Sequence, residues 1–434
     1  MFANLLIMRY LTLFLFCICA LVSIGQTWNQ VGGSLDAGIG ASVLLTDTAN
    51  DKLYAGGDFL LAGSLNVKNI AQWNGTAWSA MGGGLNAFVQ DLEIHNGELY
   101  ACGLFTFSGI TPMKHVAKWN GTSWEDVGGG ASYIVYALCS YNGELYAGGD
   151  FDTIGNVVCA HIAKWNGSIW SPVGAGTDSL VVGLEEWNGS LYAGGNFANA
   201  GSQPAAFIAE WDGSNWSSLG SGCNDYVDAI EVHNNELYVG GLFTQAGGNP
   251  ASRIAKWSGS AWTNVGLGFS DWVNDIYSFW GQLFACGNFQ FSGTTQVNYV
   301  ARYDGANWLP MDGGTNSYAW SMTDYHGELY LGGYFAFAGS VFSKFISRWN
   351  DPNYVGPPIP VADVIFPNPL LPGASFFLPG KSWEEYTLSD LAGRMYSVLQ
   401  AGQAHVAPSS PGVYLLAPRN AVYHNRYKLI VKKY

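Results

Sequence analysis

Residues 89–105 read Val89-Gln90-Asp91-Leu92-Glu93-Ile94-His95-Asn96-Gly97-Glu98-Leu99-Tyr100-Ala101-Cys102-Gly103-Leu104-Phe105. Val89 to Ile94 alternates as a half-buried strand requires. Asn96-Gly97 is a two-residue turn of the type I′ class, which needs positive φ, and Glu98 to Phe105 returns as a second strand. This hairpin decides the fold because it recurs. Its aromatic stands at Tyr54, Tyr100, Tyr146, Tyr192, Tyr238, Phe284 and Tyr330, always 46 residues apart. A second mark, apolar-Ala-x-aromatic with Ser347 for Ala in the last copy, recurs at Trp73, Trp119, Trp165, Trp211, Trp257, Tyr303 and Trp349 with the same interval. A third sits at Trp28, Trp78, Trp124, Trp170, Trp216, Trp262 and Trp308; its first interval is 50 and the rest are 46. The extra residues of that first interval are expected between Leu45 and Asp51.

Each repeat holds four strand-length segments, A to D in chain order. In the second, His115 to Trp119 reads as strand C, Asn120-Gly121 as another tight turn, and Ser123 to Gly128 as strand D. A two-residue turn there would set Ala117 opposite Trp124. Four antiparallel strands per 46-residue repeat are the signature of a β-propeller. The fold class is therefore all-β, a seven-bladed β-propeller of four-stranded blades followed by a small C-terminal Ig-like β-sandwich. An open solenoid is the competing architecture; it tolerates any repeat number and needs capping ends. The last repeat lacks a D strand, and Thr27 to Gly33 lies unused at the other end of the chain. The N-terminal strand is thus expected to complete blade seven, with a closure through Tyr354 as the fallback.

Composition agrees. Of 434 residues 48% are hydrophobic, 15% aromatic and only 12% charged, with 57 glycines and 18 tryptophans. So many aromatics exclude intrinsic disorder, and the glycine content argues against a helix bundle. The net charge of −14 excludes nucleic acid as a partner. It is a sum of unlike parts: residues 26–361 hold 10 basic and 28 acidic side chains, residues 362–434 hold 7 and 4.

Arg9 followed by the uncharged apolar run Leu11 to Ile24, with Ser23-Ile24-Gly25 as a cleavage site, reads as a signal peptide over 1–25. The run is too short for a membrane span of ~20 residues. Five cysteines remain after Gln26, an odd number at irregular spacing, so no disulfide framework is implied. Cys102 and Cys286 replace repeat glycines and read as small core residues; Cys139 and Cys159 share a repeat and are a candidate pair. The propeller is assigned to 26–355, a Pro-rich linker to 356–361, and a separate module to 362–434.

The Gly-Gly after an apolar-aromatic pair, with a Trp a few residues beyond each strand C (Ala301-Arg302-Tyr303-Asp304-Gly305-Ala306-Asn307-Trp308), resembles the kelch repeat of galactose-oxidase-like propellers. That resemblance covers residues 27–350 and implies fold, with little about chemistry. The tail is similar to the type A C-terminal sorting domain of the type IX secretion system. The matching elements occur in order: Phe366-Pro367-Asn368-Pro369, then Asp390 with Gly393-Arg394, then Pro411-Gly412-Val413-Tyr414, then Lys432-Lys433 at the end of a last strand. The resemblance implies export, display at the surface or release outside a Gram-negative cell, and the type IX machinery as partner.

Short A–B and C–D turns leave one face of a propeller bare, so function is expected on the B–C/D–A loop face. Asp225, Tyr226, Asp271, Trp272 and Tyr318, from three consecutive D–A loops, are the candidate ligand-binding residues. Aromatic faces beside carboxylates suit a glycan; a protein ligand is the other class. No catalytic triad, Gly-x-Ser-x-Gly elbow or metal-ligand spacing occurs. No catalytic residue, metal or cofactor is therefore assigned, and a monomeric binding or adhesion protein is favoured over a surface hydrolase or lyase. His95 and His233 occupy an aromatic slot before the A–B turn and read as structural. His115 and His161 hold equivalent positions without a third ligand.

Overall fold

The computed structural model describes residues 27–350 together with the strands Ser375–Phe377, Glu385–Asp390, Met395–Gln400, Ala404–Val406, Gly412–Pro418 and Tyr427–Val431. The expected signal peptide and linker lie outside the described residues. So do the sorting-motif residues Pro367, Asn368, Pro369, Gly393, Arg394, Pro411, Lys432 and Lys433.

Within 27–350 the 46-residue unit becomes a four-stranded antiparallel sheet, seven times over, in a propeller-like all-β arrangement. The second repeat shows the build. Strand A, Val89–His95, pairs with strand B, Glu98–Gly103; strand B pairs with strand C, Val116–Trp119; and strand C pairs with strand D, Trp124–Asp126. His95 opposes Glu98 across Asn96-Gly97, whose φ angles of 52° and 79° are those of the expected type I′ turn. The last sheet takes its D strand from the chain start: Thr27–Gln30 pairs with Ile346–Asn350, Trp28 opposite Trp349.

Two expectations need correction. The C–D turn holds four residues, so Trp124 faces Trp119 and Ala117 faces Asp126. The Asn120 side chain is the reason: its Oδ1 accepts from the Thr122 and Ser123 amides and closes a wider loop. Ala117 instead meets Ala101 of strand B, a small pair at mid-sheet. The extra residues of the first repeat are split. Two enlarge the A–B turn, since Leu45 pairs with Tyr54 where Glu93 pairs with Tyr100; two lengthen the D–A loop, since Trp28 precedes Ala41 by 13 residues and Trp78 precedes Val89 by 11.

The cores lie between sheets. Tyr100, Cys102 and Val116 of the second repeat pack with Val135, Leu138 and Leu145 of the third. Tyr325, Tyr330 and Ile346 of the last pack with Leu44, Leu53 and Ala55 of the first. Polar links bridge the same seams. The strand D indole N–H of Trp124, Trp170, Trp216, Trp262 and Trp308 donates to a main-chain carbonyl 43 residues earlier, at 2.7–3.2 Å. Trp28 makes the same bond to Met311 O at 3.0 Å across 283 residues. All five described cysteines are free and buried, so Cys139 and Cys159 do not pair. Residues 375–431 add a four-stranded antiparallel sheet and a two-stranded one, Ser375–Phe377 with Ala404–Val406.

Trp28 is 1% exposed and holds both the sheet pairing and the indole bond of the closure. Trp28→Ala removes the buried ring and the indole bond while leaving the main-chain ladder, and truncation of a buried Trp costs about 3–5 kcal/mol. Denaturant unfolding of the variant should show a loss of that size; a loss below about 1 kcal/mol would mean that the N-terminal strand contributes little to closure.

Candidate functional site

The first strands of adjacent sheets surround a central cavity of about 680 Å³. Each first strand carries a β-bulge just inside its start. In the ladder to strand B one residue is skipped in every repeat: Ser42, Gln90, Tyr136, Val182, Asp228, Asn274 and Trp320. All seven skipped residues line the cavity. A bulge re-aims a side chain, and here it turns one residue per repeat toward the axis.

Of the residues expected at the site, Tyr226, Trp272 and Tyr318 line this cavity. Tyr226 and Trp272 meet edge to face, centroids 5.6 Å apart, and Tyr318 packs edge-on to Tyr299 at 5.8 Å. Asp225 and Asp271 are exposed and do not line it. Each carboxylate accepts from the amide of the next residue, Tyr226 and Trp272, at 2.8 Å, and so shapes the loop. The polar residue one step earlier is structural in the same way: Asn224 Oδ1 accepts from the Thr244 and Gln245 amides, and Ser270 Oγ from those of Gln290 and Phe291. The first repeat has no mouth side chain. Gly40 (φ 136°) stands there, and a Cβ on it would lie 2.3 Å from Gly333 O of the last sheet.

Below the mouth the wall is acidic. Asp91, Asp228 and Asp275 line the cavity; Glu93 and Glu231 follow on the strands of Asp91 and Asp228, and Glu185 lies on the first strand of the fourth repeat, Val181–Trp187. Burial pushes Asp91 and Asp228 up to about 7 and Asp275 and Glu185 up to about 8; Glu93 and Glu231 are raised for the same reason. Four of these groups also clamp neighbouring sheets. Asp91 accepts from Leu138 N at 2.8 Å, Glu93 from Ser140 N at 3.1 Å, Glu231 from Ser278 N at 3.0 Å and Asp275 from Met322 N at 2.6 Å. Asp228 is different: no amide of the next sheet bonds it, and the polar group beside it is the Trp272 indole, whose buried Nε1 has no hydrogen-bond partner.

The histidines divide. His95 and His233 are buried, with Nδ1 on Ser140 Oγ (3.0 Å) and Ser278 Oγ (2.8 Å), and burial lowers both. His115 and His161 are left-handed corners, φ 68° and 64°, as are Phe207, Arg253, Tyr299 and Phe345 at the same place in other repeats. Backbone bonding fixes that corner: His115 N donates to Phe105 O, and Gly103 N donates to His115 O. Among the described residues no group of three or more His, Cys, Asp or Glu is placed to hold a metal.

Sequence reasoning missed Asp228, Trp320, Tyr136 and the acidic wall. One signal was present: in the aligned repeats the second position of strand A varies from Ser and Gln to Tyr, Val, Asp, Asn and Trp while the residue before it stays Val or Ala. Its direction was hidden, because a bulge is a matter of pairing.

No family model and no curated protein matches the chain. Among the solved structures similar to it are PorZ and Ika8. PorZ, described as an essential bacterial surface component of the type IX secretion system of Porphyromonas gingivalis, aligns at 14% identity with a TM-score of 0.47 over 93% of this chain. The chain spans 60% of the length of PorZ. The computationally designed protein Ika8 aligns at 11% identity with a TM-score of 0.45, over 93% of this chain and 100% of its own. Neither likeness bears on ligand or partner.

The raised carboxyls set a pH dependence. Their folded values near 7–8 exceed the unfolded ~4, so the folded state holds more protons and stability falls as pH rises toward 8. The lowered His95 and His233 act oppositely, but below about pH 6.5. Between pH 6.5 and 8 thermal stability should therefore decline, and Asp275→Asn should make the decline shallower. A flat or rising profile in the unmodified chain would refute the acidic wall.

Proposed function

We propose that this chain is an exported binding or adhesion protein: a seven-bladed β-propeller over 26–355, a linker over 356–361 and a type IX sorting domain over 362–434, preceded by a signal peptide over 1–25. The ligand, a glycan or a protein, sits on the B–C/D–A face. One observation carries the reading: Tyr226, Trp272 and Tyr318, from D–A loops of three consecutive repeats, line one cavity. Aromatic faces with polar groups beneath them are what a binding cavity presents. Asp225 and Asp271 support the loops that carry these rings. The surface or extracellular destination and the type IX partner rest on the ordered tail motifs, including Asp390, Gly412 and Tyr414.

A second reading, a surface carbohydrate-active hydrolase or lyase, draws on Asp228 and Asp275, whose raised values suit proton donation near neutrality.

Two experiments test these readings. In a bacterium carrying the type IX machinery, deleting 362–434 should retain the protein in the periplasm; unchanged export would remove the sorting role. On a glycan array the full chain should bind, and Trp272→Ala should weaken binding by roughly 10-fold or more, the effect of losing about 1.4 kcal/mol. Cleavage of a polysaccharide that Asp228→Asn abolishes would favour the enzyme instead.

A further inference from the structure

We propose that the central cavity receives a weakly hydrated organic cation, a quaternary ammonium or guanidinium group. The proposal rests on the reading of the B–C/D–A side as the ligand face and narrows the chemistry of what enters there.

Charge points first to a cation. Asp91, Asp228 and Asp275 line the cavity, and among the described residues no Lys, Arg or His does. Several cations of the same sheets are engaged further out: Lys118 with Glu98, Lys164 with Glu144, Lys256 with Glu236 and Arg348 with Glu328, at 2.6–3.1 Å. These pairs are spent between strands B and C, so Asp91 and Asp275 are left with main-chain amides, and Asp228 with the Trp272 indole beside it, whose buried Nε1 has no hydrogen-bond partner.

Aromatic rings narrow the cation. Tyr226, Trp272 and Trp320 line the same space, and a ring face attracts a cation through its quadrupole, most strongly when both are out of water. Burial opposes ionisation of Asp228 and Asp275, and a cation seated between them and the rings would favour their ionised form. The occupant must itself leave water cheaply. A guanidinium is more weakly hydrated than a primary ammonium, and quaternary ammonium groups are the ligands of aromatic cages. A bare metal ion fits poorly, since no suitable ligand cluster exists among the described residues.

The test titrates the full chain with choline, with methylguanidine and with dimethylbutanol, the uncharged carbon isostere of choline, by calorimetry and tryptophan fluorescence. At least one cation should bind roughly 10-fold tighter than the alcohol. Asp228→Asn should erase that preference without lowering the unfolding temperature; should that variant misfold, Trp272→Leu serves. Choline alone binding identifies a quaternary ammonium ligand, and methylguanidine alone an arginine side chain. Equal affinity for the alcohol, or no binding of either cation in the millimolar range, overturns the proposal. A glycan that binds through Trp272 and is not displaced by either cation would leave the ligand face standing and this inference fallen.

Discussion

A four-stranded sheet of one repeat has two apolar faces and can cover neither by itself. Everything else in residues 27–350 follows from that. Each sheet must lie between two others, so the cores form at seams, as where Tyr100 and Cys102 meet Val135 and Leu145. The first and last sheets face the same demand and meet each other, with Leu53 and Ala55 against Tyr330 and Ile346. Low charge is the compositional trace of surfaces buried on both sides, and the indole bonds from strand D hold the seams in register at their outer edge.

At the inner edge a different problem arises. Adjacent first strands converge on the axis without a shared ladder, and their amides need acceptors. Carboxyl side chains supply several: Asp91 for Leu138, Glu93 for Ser140, Glu231 for Ser278, Asp275 for Met322. A ligand-sized cavity lined by acids is thus partly a by-product of how the seams are closed. Asp228 stands apart, because no amide of the next sheet bonds it and the Trp272 indole beside it has a buried Nε1 without a hydrogen-bond partner. That makes it the acid with the most to gain from a ligand.

Much of this was legible in residue order. Three marks at a 46-residue interval yield the strand count, the hairpins and the unused D strand that Thr27–Gln30 supplies to Ile346–Asn350. Turn chemistry was legible at Asn96-Gly97, where positive φ singles out the residues, and misleading at Asn120-Gly121, where a side-chain acceptor widens the loop to four residues. The candidate site was half legible. Tyr226, Trp272 and Tyr318 stand out as aromatics in a variable loop, whereas Asp225 and Asp271 have the right chemistry and the wrong direction: each binds its own loop amide.

The sequence by itself determined what each repeat must be, since alternation, turn residues and spacing are local properties that every copy repeats. It showed also a missing strand and a spare one, which favoured closure by the N-terminus over closure through Tyr354; the pairing of Thr27–Gln30 with Ile346–Asn350 decided between them. Only the tertiary structure decided which side chains meet at the axis. The bulge that turns Asp228 and Trp320 inward exists as a skipped pair between strands A and B. The rise of Asp275 and Glu185 comes from burial that only the assembled sheets create. Direction and burial belong to the assembly of sheets, and no single repeat carries them.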